Sequence, residues 1–147
     1  MYFAFSYPFS YEESQKCLNT LQKQFLFDSD IYFHREILTK SPEERNIDLV
    51  TITSQEGKLN ERESYIKESL FPNKKNEKRA YKFRENKPVI LLTARVHPGE
   101  TPASHAMNGI IKFLLDKYIS QTFWNYYFFS LETMPDHICW ENILFLC

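Results

Sequence analysis

The run KPVILLTARV, residues 87–96, constrains the fold more than any other stretch of this chain. Its apolar residues follow one another without alternation. A strand that meets water on one face alternates apolar and polar side chains. A strand without alternation suits burial on both faces, the central position of an α/β sheet. The run leads directly into HPGE (97–100), where Pro98 and Gly99 are turn formers. Thr101 can cap the helix that follows, and Pro102 fits its first turn. Met107, Ile110, Ile111, Leu114 and Leu115 then give that helix a broad apolar stripe.

Upstream, Ser10 stands three residues before Glu13, the spacing of a capping box. Leu18, Leu21 and Phe25, with Cys17 beside them, recur at helical spacing, so residues 11–26 are predicted to form an amphipathic helix. IYFHREILT (31–39) is rich in β-formers, with Tyr32, His34, Glu36 and Leu38 on one face and Ile31, Phe33, Arg35 and Ile37 on the other. IDLVTITS (47–54) follows after a short turn, which predicts an antiparallel pair. The order of helix, two strands, buried strand and helix reads as the start of a mixed-sheet α/β domain.

Two segments depart from this pattern. Residues 55–86 hold nine Lys and Arg, six Glu and several turn formers. They are expected to form an exposed charged insertion loop, with a short helix around Glu61–Leu70. A basic stripe there would suit an acidic partner, and a solvated loop accounts for the same charges. Residues 121–147 carry eight Phe, Tyr or Trp with no clean period. They are treated as a divergent aromatic tail beyond a first region, 1–120. The tail is compatible with a further strand or helix, and it is also what a changed reading frame or splice pattern near residue 120 would yield.

Composition narrows the function. The net charge of −1 gives no general argument for nucleic acid or an anionic membrane. The longest uncharged run, Tyr118 to Leu131, is about 14 residues, short of the roughly 20 a membrane span needs. Cys17, Cys139 and Cys147 are odd in number and lack CxxC spacing, which argues against a disulfide framework. No secretory leader is visible, so a cytoplasmic setting is expected. Nucleotide-binding glycine loops and a GxSxG elbow are absent as well.

HPGE is where chemistry enters. Sites in α/β sheets gather at the carboxyl ends of strands, where this turn sits. An imidazole and a carboxylate at i and i+3 are both good zinc ligands. The spacing of His97 and Glu100 also fits an ordinary loop His followed by an acidic residue at a helix start, favoured by the helix dipole. Spacing alone leaves both readings open.

The surrounding residues add a family. ARVHPGETPASHAMNGIIKFLL closely resembles the segment that carries the first two zinc ligands of the cytosolic carboxypeptidases, metalloenzymes that trim glutamates from tubulin and other proteins. FAFSYPFSYEESQ, YFHREILTKS and IDLVTITS resemble the same family in order and register, and LFP within the charged insertion looks most like the subgroup that removes branch-point glutamates. The likeness spans about residues 2–119. It implies an α/β/α sandwich around a mixed sheet, zinc as cofactor, His97 and Glu100 as ligands, and glutamate-rich tails as substrate, with association to microtubules.

The departures set further expectations. An Asn-Pro-Asp-Gly turn, an Asn-Arg carboxylate clamp, a third His ligand and a Glu general base would follow in the family. TMPDHICW (133–140) echoes only the first. The β-sandwich domain that precedes the catalytic domain is missing too. The chain is therefore expected to be the incomplete N-terminal part of the metallocarboxypeptidase fold, with no catalytic base of its own, loose zinc binding and poor solubility in isolation. Its second reading is a non-catalytic fragment or interaction module. His105 is expected to pack or face solvent, His34 to be structural and Cys17 to lie in the core. His137 lacks surroundings that support a ligand role. Arg95 is open between a substrate contact, support of the ligand pair and an ordinary salt bridge.

Overall fold

The structure, a computed structural model, describes residues 3–67, 69–84, 89–117 and the backbone of 128–133. Helix α1 spans Tyr11–Gln24. The Ser10 hydroxyl accepts from the Glu13 N–H at 3.2 Å, and the Glu13 carboxylate accepts from the Ser10 N–H at 2.7 Å. This is the capping box that the sequence predicts, and it satisfies two donors that a helix start leaves orphaned.

Strands β1 (Ile31–Lys40) and β2 (Asn46–Ser54) pair antiparallel, with Phe33 opposite Ile52 and Glu36 opposite Leu49. Residues 55–86 contribute β3 (Lys58–Arg62) and β4 (Tyr81–Phe83), an antiparallel pair forming its own small sheet. Then come β5 (Val89–Ala94), α2 (Thr101–Leu114) and β6 (Phe128–Thr133). The larger sheet has the order β1-β2-β6-β5. β6 runs antiparallel to β2 and parallel to β5, so the sheet is mixed, as predicted. Parallel neighbours need a crossover, and the segment carrying α2 supplies it between β5 and β6. β6 thus falls within residues 121–147, while the rest of that tail, His137 and most of TMPDHICW included, lies outside the described residues.

One face of the sheet packs against both helices. Leu18 and Phe25, from α1 and its C-cap, meet Ile31, Phe33, Val50 and Ile52 of the sheet and Met107, Ile111 and Leu114 of α2. On this face Arg35 Nε donates to Asp48 Oδ1 at 2.7 Å, and its other nitrogens donate to Asn19 and Gln15 of α1. Cys17, half-buried, stands 3.7 Å from Asn108 Oδ1 and so joins α1 to α2 rather than sitting in the core.

The opposite face of β1 and β2 is covered by the charged segment, which corrects its reading as an exposed loop. Leu70, Phe71, Arg79 and Ala80 are buried, and Leu38 packs with Leu70 and Phe71. No helix forms at Glu61–Leu70 among the described residues: β3 takes up its start. Counting charges misses where they are used. Arg79 donates to Glu36 at 2.8 Å and lies 3.7 Å over the Phe71 ring. Arg62 lies 3.9 Å over Tyr81. A guanidinium on an aromatic face covers apolar surface while keeping its charge partnered.

β5 also differs from expectation. Its residues are half-buried and Thr93 is exposed, and within the described sheet it is the last strand in the order. Ile90, Leu92 and Ala94 pack on the helical core. The unbroken apolar run is thus anchored through one face.

His34 sits on the face under the charged segment, with its Nε2–H donating to the Lys78 carbonyl at 2.9 Å and its ring stacked on Tyr32 at 6.0 Å. It is structural, as predicted. Burial, reinforced by Arg62 and Arg79, lowers its pKa from 6.5 to about 4. Between these values the unfolded chain binds a proton that the folded chain refuses, so stability falls as pH drops from about 6.5 to about 4. Burial raises the Glu36 carboxyl, which acts with the opposite sign, so the histidine is isolated by substitution. From pH 7 to pH 5 the protein is expected to lose about 2 kcal/mol more than His34→Gln, read from urea midpoints. Parallel losses in the two proteins would show that His34 is not the group responsible.

Candidate metal centre

β5 ends at Ala94, and the chain turns at Arg95, whose φ of 58° lies in the left-handed region. HPGE then forms a tight turn closed by the Glu100 N–H donating to the His97 carbonyl at 3.1 Å. Pro98 occupies the first central position, where its fixed φ is favourable. Gly99 keeps a negative φ, and a Cβ built on it would meet nothing within 4 Å, so the turn does not depend on glycine's freedom.

Closing the turn brings the two candidate ligands together. His97 Nδ1 lies 2.8 Å from Glu100 Oε1, and both side chains stay open to solvent, at 65% and 53% exposed. The sequence predicts Thr101 as the cap of the following helix, but Glu100 occupies that position and makes no side-chain capping bond. Its carboxylate turns back to the imidazole instead. The Thr101 hydroxyl accepts from Arg95 Nη2 at 3.3 Å.

Arg95 is 9% exposed. Its Nε donates to the Pro98 carbonyl at 3.1 Å, and Nη1 donates to the Phe9 carbonyl and to Ser104 Oγ, the latter at 3.5 Å. His105, one turn into α2, is a packing residue: its ring meets Phe9 edge-on at 5.3 Å, and its Nε2–H donates to the Tyr7 carbonyl at 3.2 Å. The carbonyl partners of Arg95, at Phe9 and Pro98, have no sequence signal, because they are backbone groups present at every residue.

The pair has the donor chemistry that zinc accepts. His97 and Glu100 are donor types that zinc takes, and they stand side by side and open to solvent at the carboxyl end of a strand, joined by an Nδ1–H···Oε1 contact that a metal held through Nδ1 would replace. Among the described residues no three His, Cys, Asp or Glu side chains gather into a metal site.

The zinc carboxypeptidase family profile matches residues 7–127, which includes the whole turn. The chain belongs to the zinc carboxypeptidase family. Human cytosolic carboxypeptidase-like protein 5 is 39% identical over 149 aligned positions, covering 93% of this chain and 16% of that protein. Mouse cytosolic carboxypeptidase 6 is 36% identical over 143 positions, covering 95% of this chain and 22% of its own length. The chain thus spans about a fifth of the length of these relatives. A Shewanella denitrificans protein described as a carboxypeptidase A shares the fold, with a TM-score of 0.55 at 22% identity over 87% of this chain and 25% of that one. No helix among the described residues is long and apolar enough to cross a membrane.

Proposed function

We propose that His97 and Glu100 are two zinc ligands of a carboxypeptidase that removes glutamate from protein C-termini or side-chain branches, with tubulin-like acidic tails as substrate in a cytoplasmic, microtubule-associated setting. The 2.8 Å approach of His97 Nδ1 to Glu100 Oε1, within the region matched to the family, carries this reading. When bound, zinc supplies Lewis acidity at a substrate carbonyl. The chain's own part is to present an imidazole and a carboxylate from a short turn. Their exposure leaves room for a peptide end to approach. Support for glutamate as the residue removed comes from the resemblance of the HPGE segment and LFP to the deglutamylating subgroup.

A second reading has one observation in its favour. Catalytic zinc commonly takes three protein ligands, and the described residues bring two together. On that reading the segment binds metal or an acidic tail without turnover.

The 147-residue chain can be tested for both. Zinc affinity from chelator competition is expected to fall tenfold or more in His97→Ala and in Glu100→Gln. Release of glutamate, but not alanine, from matched peptide tails would rule out the second reading for this chain. Equal zinc affinity in wild type and His97→Ala would sink the site itself.

A further inference from the structure

We propose that Arg95 is the positioning residue of the His97–Glu100 pair: its guanidinium holds the turn in the shape that presents both donors to a divalent metal. This rests on the reading of His97 and Glu100 as ligands.

The backbone gives the first argument. A non-glycine residue at a φ of 58° is strained and persists only where its surroundings determine it. Glycine or asparagine would adopt this conformation with less strain. An arginine there implies that its side chain offsets the strain.

The side-chain contacts show how. Arginine offers five N–H donors in a rigid fork. Here the fork serves three segments at once: the N-terminal arm at Phe9, the centre of the turn at Pro98, and the first turn of α2 at Thr101 and Ser104. The Pro98 carbonyl belongs to the peptide unit in the middle of HPGE. Fixing it fixes the relation between the first and last residues of the turn, which are the two donors. Thr101 directly follows Glu100, so the ligand lies between two anchored points, the Pro98 carbonyl and the Thr101 hydroxyl. His105 holds the far side of the arm through the Tyr7 carbonyl and the Phe9 ring.

His97 and Glu100 need such help. They are exposed, so packing does not set their geometry. Donors held by a stiff backbone lose less freedom when a metal arrives, and groups that orient metal ligands typically change affinity 10–100-fold. The link between Arg95 and the metal is therefore mechanical, through the turn.

The test separates backbone from side chain. Arg95→Gly accepts the positive φ without strain but removes the fork, whereas Arg95→Ala removes the fork and keeps the strain. Zinc affinity of the 147-residue chain is expected to fall tenfold or more in both, and about three- to tenfold in Arg95→Lys, which reaches fewer acceptors. A metal-free readout runs alongside: amide exchange at Gly99 and Glu100 is expected to quicken in Arg95→Gly while the core amides of β2 keep their protection. Wild-type zinc affinity and unchanged exchange in Arg95→Gly would overturn the proposal. Should the Gly and Ala variants fail to fold, Arg95→Lys decides, and wild-type affinity there overturns it. Failure of the ligand reading is distinguishable, because His97→Ala would then bind zinc as wild type does while the exchange result still reports on Arg95.

Discussion

Replacing Arg79 with alanine is expected to destabilise the protein by about 3–5 kcal/mol at pH 7, measured by urea unfolding. Arg79 and Glu36 are 5% and 3% exposed, and Arg79 Nε donates to Glu36 Oε2 at 2.8 Å. The other carboxylate oxygen of Glu36 is buried with no hydrogen-bond partner among the described residues. Removing the guanidinium would strand a carboxylate under the β3–β4 segment. The carboxylate can escape by taking a proton, which at pH 7 costs about 3 kcal/mol for a group whose ordinary value is 4.5. That escape predicts a signature. The penalty of Arg79→Ala should shrink towards pH 5, where protonation costs less than 1 kcal/mol. The lost packing of the guanidinium on Phe71 remains at either pH. A matched double replacement, Glu36→Leu with Arg79→Met, removes both charges and should lie within about 1–2 kcal/mol of wild type. A pH-independent penalty below 1 kcal/mol for Arg79→Ala would mean that the pair is open to water and structurally minor.

This pair also marks where sequence reading fell short. The alternation in IYFHREILT placed Tyr32, His34, Glu36 and Leu38 on one face, and the structure keeps them there. What that face meets was not legible. A segment with nine basic residues reads as solvated because local composition does not reveal that Arg79 will find Glu36, which is 43 residues away. The capping box at Ser10 and the antiparallel pair were legible because their determinants lie within a few residues of one another. The same locality explains the site. HPGE encodes its own turn, so the approach of His97 to Glu100 could be anticipated from four residues. The cap falls at Glu100 rather than Thr101, and the Glu100 carboxylate goes to His97 instead of the helix N–H groups, a competition between two partners that propensity cannot weigh. Arg95 lies between: its proximity to His97 and Glu100 and to the hydroxyls of Thr101 and Ser104 is visible in the sequence, but its carbonyl acceptors at Phe9 and Pro98 are set by the fold.

Ile111→Ala is expected to cost about 2–5 kcal/mol, again from urea unfolding, whereas the neighbouring Ile110→Ala should cost less than about 1 kcal/mol. The two residues have identical chemistry and adjacent positions in α2, so the contrast isolates burial. Ile111 is 1% exposed and Ile110 is 38% exposed. Ile111 packs in the cluster that joins Leu18 of α1, Val50 and Ile52 of β2, and Met107 and Leu114 of its own helix. Truncation removes three carbons from a place where two helices and the sheet meet. Each methylene is worth about 0.8 kcal/mol in transfer alone, and the cavity adds to it because a rigid sheet cannot fully collapse into the gap. The consequence for the site should be small while the protein remains folded. The turn is anchored through Arg95 to the arm and to the first residues of α2, at the opposite end of that helix from Leu114. Zinc affinity in folded Ile111→Ala should therefore stay within about threefold of wild type. A larger drop would show that the geometry of His97 and Glu100 depends on the core beneath α2 as well as on the clamp above it.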